Sequence, residues 1–127
     1  MENMDDPGIE RNRQSMSLPQ HPSDLIQGTL DLLILKTLAI GPNHGWAVAH
    51  RIQEASHETL QVTQGSLYPA LQRLQQKGWI DSEWGMSEKG RRAKFYYLTK
   101  LGEAELARQI RRWRQYSVAV ELVLQMG

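Results

Sequence analysis

Residues 62–78 constrain the chain more than any other stretch. Leu67, Leu71 and Leu74 recur at the i, i+4, i+7 spacing of a helix that buries one face. The opposite face carries Gly65, Pro69, Gln72 and Gln76, with Ser66, Tyr68 and Arg73 on its flanks. That face is polar and free of bulky aliphatics. Gln, Ser and Tyr hydrogen-bond both phosphates and base edges, and a helix N-terminus adds backbone N–H donors. Gly78 stops the helix, where positive φ is favoured. Its start has two candidates. With Ser66 as cap, Pro69 falls in the first turn and its missing N–H costs nothing; with Thr63 as cap, Pro69 forces a local irregularity. The pattern alone also describes a helix whose polar face is merely solvated, so the flanking segments decide.

A helix over 25–40, with Leu30, Leu33, Ile34 and Leu38 as its stripe and Leu32 and Leu35 widening it, is the expected core helix. Gly41 and Pro42 stop it. Asn43 is a good cap for a second helix over 44–56 that buries Trp46, Ala49 and Ile52. Residues 60–62 suffice for a brief strand only. Beyond Gly78 the period changes. Residues 79–84 and 93–98 are aromatic and β-branched enough for two strands, and residues 85–92 join them as a long loop with a basic tip. The fold class is therefore mainly α with a small β-hairpin: a winged helix-turn-helix. Its wing reaches along a DNA backbone or into the minor groove.

Thr99 caps a last helix over 100–125. Leu106, Ile110, Trp113, Ser117, Val120 and Leu124 step by 4, 3, 4, 3, 4, a heptad seam. Such a helix is longer than the small domain needs. The seam predicts a homodimer interface, while the same period also suits packing back on its own domain. The expected organisation is a flexible tail over 1–24, a DNA-binding domain over 25–99 and a dimerisation helix over 100–127.

Charge agrees with a polyanion partner. The net charge of +1 hides an acidic segment over 1–24, with five acids against two bases. Between Lys89 and Arg114 stand nine bases, opposed only by Glu103 and Glu105. With no cysteine there is no disulfide framework and no thiolate site, which fits a reducing, cytoplasmic setting. No secretory signal is recognisable, and the most apolar run, 30–40, is broken by Asp31 and Lys36 and too short for a bilayer. His21, His44, His50 and His57 show no metal-ligand spacing. No nucleophile grouping or phosphate loop is present either, so neither an enzyme, a metal site nor a cofactor is expected.

Four segments together closely resemble the PadR-like transcriptional regulators. They are residues 41–46, residues 65–74 (Gly-Ser-Leu-Tyr-Pro-Ala-Leu-Gln-Arg-Leu), residues 77–80 (Lys-Gly-Trp-Ile) and residues 91–99 (Arg-Arg-Ala-Lys-Phe-Tyr-Tyr-Leu-Thr). The resemblance covers about residues 25–125. It implies a bacterial winged-helix repressor of the compact branch, dimeric through one C-terminal helix. It carries the recognition-helix role to Ser66, Tyr68 and Pro69, and the backbone-contact role to Lys89, Arg91, Arg92 and Lys94. Trp46 stands where the family commonly has tyrosine, a swap compatible with packing.

The expected mechanism places Gln64, Ser66, Tyr68 and Gln72 in the major groove, where Gln pairs bidentately with adenine. Arg73, further along the helix, is expected on phosphate. A dimer sets its two helices about one DNA turn apart, roughly 34 Å, so the operator is expected to be an inverted repeat of double-stranded DNA. If a dimer neutralises about 4–8 phosphates, log affinity falls with log salt at a slope of about −4 to −7. Two further functions fit the same fold. Trp113 on the seam could sandwich a small aromatic effector against its counterpart, or simply pack there. A winged-helix protein-interaction module is the rival of another class, and weak salt dependence would favour it.

Overall fold

The computed structural model describes residues 27–127. The segment 1–24, His21 within it and the first two residues expected for the first helix lie outside the described residues. The elements run α1 (Gln27–Ile40), β1 (Asn43–His44), α2 (Gly45–Ala55), α3 (Gln64–Gln76), β2 (Ile80–Met86), β3 (Arg92–Leu98) and α4 (Lys100–Leu124). This is the expected winged helix-turn-helix with a long C-terminal helix.

α1 is the core helix because it is apolar on most of its circumference. Leu30, Ile34, Leu35 and Leu38 are fully enclosed, while Leu32 and Leu33 are half-buried at the margins. Two buried polar residues on it are satisfied. Thr37 Oγ1 donates to the Leu33 carbonyl at 2.8 Å, and Asp31 accepts from Arg73 of α3 at 2.8 Å. Val48, Ala49 and Ile52 of α2, Leu67, Ala70, Leu71 and Leu74 of α3, Ile80, Tyr96 and Leu106 complete the core.

α2 differs from expectation in two respects. Its cap is His44, whose Nδ1 accepts from the Ala47 N–H at 3.3 Å; Asn43 instead accepts from the His44 N–H. Trp46 is 60% exposed, not buried, and stacks on His50 with ring centroids 5.2 Å apart. Steps of three residues around a helix drift by about 60° each. The buried face therefore centres on Gly45, Val48, Ala49 and Ile52, with Trp46 well to its side. α2 ends through His57 and Glu58, consecutive left-handed residues at φ 53° and 64°. No strand forms over 60–62. The Leu60 and Val62 N–H groups are taken by Ser56 Oγ and Gln53 Oε1, side chains of the α2 end and its cap.

The start of α3 is settled at Thr63, whose Oγ1 accepts from the Ser66 N–H at 3.2 Å. Pro69 therefore sits inside the helix. The local irregularity this entails is confined to the hydrogen bonding: α3 runs unbroken, and the Gly65 carbonyl loses its usual intrahelical donor at an exposed position that water reaches. At the other end, Gly78 (φ 78°) donates to Gln75 and Trp79 donates to Leu74, the paired bonds of a Schellman stop.

β2 and β3 pair antiparallel from Ile80↔Leu98 to Met86↔Arg92. The hairpin strands reach further than expected, leaving only residues 87–91 as its loop and putting Arg92 on β3 itself. The sequence reading missed β1, which adds to the far side of β3 through Asn43↔Tyr96 and His44↔Phe95. Thr99 caps α4 as expected, accepting from the Gly102 N–H at 3.0 Å. The seam on α4 divides. Leu106 is buried in the chain's own core and so is not free for a second subunit, while Ile110 is half-buried against that core. From Trp113 onward the apolar residues face outward.

Candidate nucleic-acid interface

α3 separates two chemistries cleanly. Leu67, Ala70, Leu71 and Leu74 point into the core, and Gln64, Gly65, Ser66, Tyr68, Pro69, Gln72 and Gln76 stand exposed. The exposed set carries no charge. Near the N-terminus, Thr63 Oγ1 donates to Ser66 Oγ at 3.1 Å, which holds the Ser66 hydroxyl toward the helix start. Tyr68 is 45% exposed and lies across the first residue of α2. A Cβ on Gly45 would meet the Tyr68 ring at 3.1 Å and its hydroxyl at 3.3 Å, so glycine there lets the phenol lie close over the helix.

Arg73 goes elsewhere. Its guanidinium pairs with the buried Asp31 carboxylate at 2.8 Å and ties α3 to α1, so the expected phosphate contact is not the one its side chain makes. Burial pushes Asp31 above its ordinary value, and the hydrogen bond and charge of Arg73 pull back against that. Gln75 is likewise internal. Ser82 Oγ donates to Gln75 Oε1 at 3.3 Å, and Gln75 Nε2 to Asp81 at 3.4 Å, bracing α3 on the hairpin.

The hairpin brings two of its cations, Arg92 and Lys94, to one face. Residues alternate across a strand, so Ile80, Ser82, Trp84 and Met86 share one face with their partners Leu98, Tyr96, Lys94 and Arg92. The root of that face, Ile80, Leu98 and Tyr96, packs in or against the core, while Trp84, Met86, Arg92 and Lys94 are exposed. Between α3 and this face opens a cleft of about 420 Å³ lined by Tyr68, Gln72, Gln75, Gln76, Lys94 and Tyr96. Burial, with Tyr68 adding to it, raises the Tyr96 hydroxyl above its ordinary value. Lys89 and Arg91 lie exposed in the loop, whose turn is closed by Gly90 (φ 72°) donating to the Ser87 carbonyl. The structure thus brings Gln64, Ser66, Tyr68, Pro69, Gln72 and Lys94 around one helix and cleft. Lys89, Arg91 and Arg92 are carried outward by the hairpin. One residue on this face escaped sequence reasoning: Trp84, 58% exposed, with Arg92 over its ring at 4.7 Å and Lys94 at 6.0 Å. The signal was the strand alternation itself, which sets Trp84 in line with Ile80 and opposite Lys94.

On α4, Trp113 is 46% exposed beside Tyr116, with ring centroids 6.3 Å apart. Ser117 donates to the Trp113 carbonyl of its own helix at 2.9 Å and so needs no partner across a seam. Val120 and Leu124 are exposed. Trp113 also walls an open groove of about 630 Å³ between α1, Trp79 and α4, where Lys77, Arg108 and Arg112 supply cations and Asp31 and Glu105 the opposing charges. Among the described residues no cluster of His, Asp and Glu is arranged to hold a metal ion, and no helix is long and apolar enough to cross a membrane.

The comparisons with known proteins converge on one class. The chain belongs to the PadR-like family of transcriptional regulators, whose family model matches residues 34–108. This is a family of regulators, not of enzymes. An uncharacterized protein of Lysinibacillus sphaericus is 28% identical over 103 residues, covering 81% of this chain and 94% of its own. Among solved structures, a PadR-like transcriptional regulator from Bacillus cereus shares 26% identity with a TM-score of 0.69, covering 80% of this chain and 96% of that one. A PadR family transcription regulator from Clostridium difficile shares 28% identity with a TM-score of 0.66, covering 75% and 97%.

Proposed function

We propose that this chain is a sequence-specific DNA-binding repressor acting as a homodimer on an inverted-repeat operator of double-stranded DNA. The observation that carries the reading is the single surface on which the uncharged polar face of α3 adjoins the cationic face of the hairpin. Gln pairs with base edges, Ser and Tyr hydrogen-bond bases or phosphates, and Lys and Arg on a protruding hairpin suit phosphates. Gln64 and Gln72 read bases, Ser66 and Tyr68 serve base or backbone, and Pro69 keeps the exposed wall of α3 free of a bulky side chain. Lys89, Arg91, Arg92 and Lys94 hold the backbone. Arg73 supports the helix from behind through Asp31 and is not among the contacts.

The dimer forms through the part of α4 beyond Ile110, where Trp113, Val120 and Leu124 are exposed on a helix that has left its own domain. Selection of bound duplexes from a random pool tests the whole reading. An inverted repeat with half-sites about one turn apart is expected, and Gln72→Ala should relax preference at one position of each half-site. Recovery of no consensus would contradict base readout by α3.

A second reading has its own observation. Trp113 and Tyr116 border the cation-lined groove beside α1, so a small aromatic effector bound there would act on the helix that joins the subunits. Quenching of Trp113 fluorescence by such a compound, lost in Trp113→Phe, tests it.

A further inference from the structure

Trp84 is the exposed aromatic on the hairpin that neither the fold nor the reading above employs. It is 58% exposed, so the core does not account for it. Its cross-strand partner is Lys94, and the next pair outward is Met86↔Arg92. Both cations lean on the indole: the Arg92 guanidinium lies 4.7 Å from the ring centroid and the Lys94 ammonium 6.0 Å. These distances are within the reach of cation–π attraction, which is strongest for tryptophan.

Long cationic side chains on a hairpin in water sample many rotamers, and each one immobilised on a phosphate gives up that freedom on binding. A side chain already held against a rigid indole has less to lose. The Trp84 ring has only two torsions and is set on its face by the strand register. The face it occupies is the one that borders the cleft beside α3, where Lys94 already stands beside Tyr68 and Gln72.

We infer that Trp84 is a positioning residue for DNA binding, holding Arg92 and Lys94 together as one preset phosphate clamp at the mouth of the cleft between α3 and the hairpin. The inference rests on the DNA-binding reading above and adds to it a residue that carries no charge and reads no base. It separates Arg92 and Lys94, which act as a pair, from Lys89 and Arg91 in the loop, which act singly.

The test is a double-mutant cycle on the full chain, with affinity for a labelled mixed-sequence duplex measured at low salt by fluorescence anisotropy. Trp84→Leu keeps the apolar bulk and removes the π face; it should weaken binding about three- to tenfold, while Trp84→Phe retains most of the affinity. In an Arg92→Ala/Lys94→Ala background, Trp84→Leu should change nothing further. A readout without DNA accompanies it: ring-current shifts on the Arg92 side-chain protons, present in the wild type and lost in Trp84→Leu with the fold intact by circular dichroism. Wild-type affinity in Trp84→Leu would overturn the inference and leave the DNA-binding reading standing. An equal loss in the Arg92→Ala/Lys94→Ala background would also overturn it, since Trp84 would then touch DNA itself. Failure of the wild type to bind any duplex would overturn the DNA-binding reading and this inference with it, whatever the ring-current shifts show.

Discussion

Glycine 102 shows how little room single residues have where α4 meets the hairpin. A Cβ there would run into the Trp79 carbonyl and a Leu98 methyl, and the carbonyl is backbone that cannot step aside. Gly102→Ala is expected to cost about 2–3 kcal/mol of stability by overpacking, measured by urea denaturation. Two carboxylates near the same junction respond to acid with opposite signs. The Arg108 hydrogen bond holds Glu105 below its ordinary 4.5, against the opposing effect of burial. Its contribution to stability is therefore present above that value and lost as pH falls through the depressed one. Asp31 is raised, so the penalty for its charge is present at neutral pH and relieved in acid. Glu105→Gln should be slightly less stable than the wild type at neutral pH, with the gap closing in acid melts; a gap that widens would contradict the sign. At this scale the sequence revealed the outward residues of α3 but not the inward turn of Arg73. Helical spacing puts Arg73 on the flank of the polar face, and only the buried Asp31, forty-two positions away in the chain, decides which way it leans.

Among the elements, α3 carries a defect in its own middle. With Thr63 as cap, Pro69 removes one helix hydrogen bond. Pro69→Ala restores a donor to the Gly65 carbonyl and is expected to stabilise the domain by about 1–3 kcal/mol in thermal unfolding, while weakening DNA binding if the exposed wall of α3 fits the groove as proposed. Unchanged or lower stability would show that the rigid ring offsets the lost bond through the unfolded chain. The long elements were legible because their signals are local and repeated: leucines at helical spacing in α1 and α3, Thr99 before α4, Gly78 as a stop. β1 was not. Two residues give no period, and Asn43 and His44 become a strand only because the edge of β3 is beside them. Trp46 was misplaced for a related reason: a 46, 49, 52 spacing looks like a stripe, but a step of three drifts around the helix, leaving Trp46 on the rim beside His50.

For the whole molecule, the heptad spacing of α4 could not tell packing within a chain from packing between chains, since the same period serves both. Leu106 packs in the chain's own core and Ile110 against it, while the apolar residues from Trp113 onward are exposed. Leu106→Ala should therefore destabilise the domain itself by about 2–4 kcal/mol. Val120→Glu with Leu124→Glu should convert dimer to monomer in sedimentation velocity and keep the winged domain folded, its melting lowered only by the lost linkage to dimerisation. A dimer that survives the double charge would refute the proposed seam. If the subunits separate, affinity for an inverted repeat should fall with them, because each half-site then binds alone.

If α3 and the hairpin together grip DNA, the affinity must depend on both sequence and salt. The measurement is fluorescence anisotropy on the duplex upstream of the chain's own gene, across a salt series, beside a scrambled duplex and an Arg91→Ala/Arg92→Ala variant. Promoter-selective binding is expected, with log affinity falling with log salt at a slope of about −4 to −7, and shallower by about 2–4 in the variant, whose dimer loses two arginines from each subunit. Absence of binding to either duplex at low salt, or binding indifferent to salt and to the loss of both arginines, would contradict it and turn attention to a protein partner for the exposed length of α4.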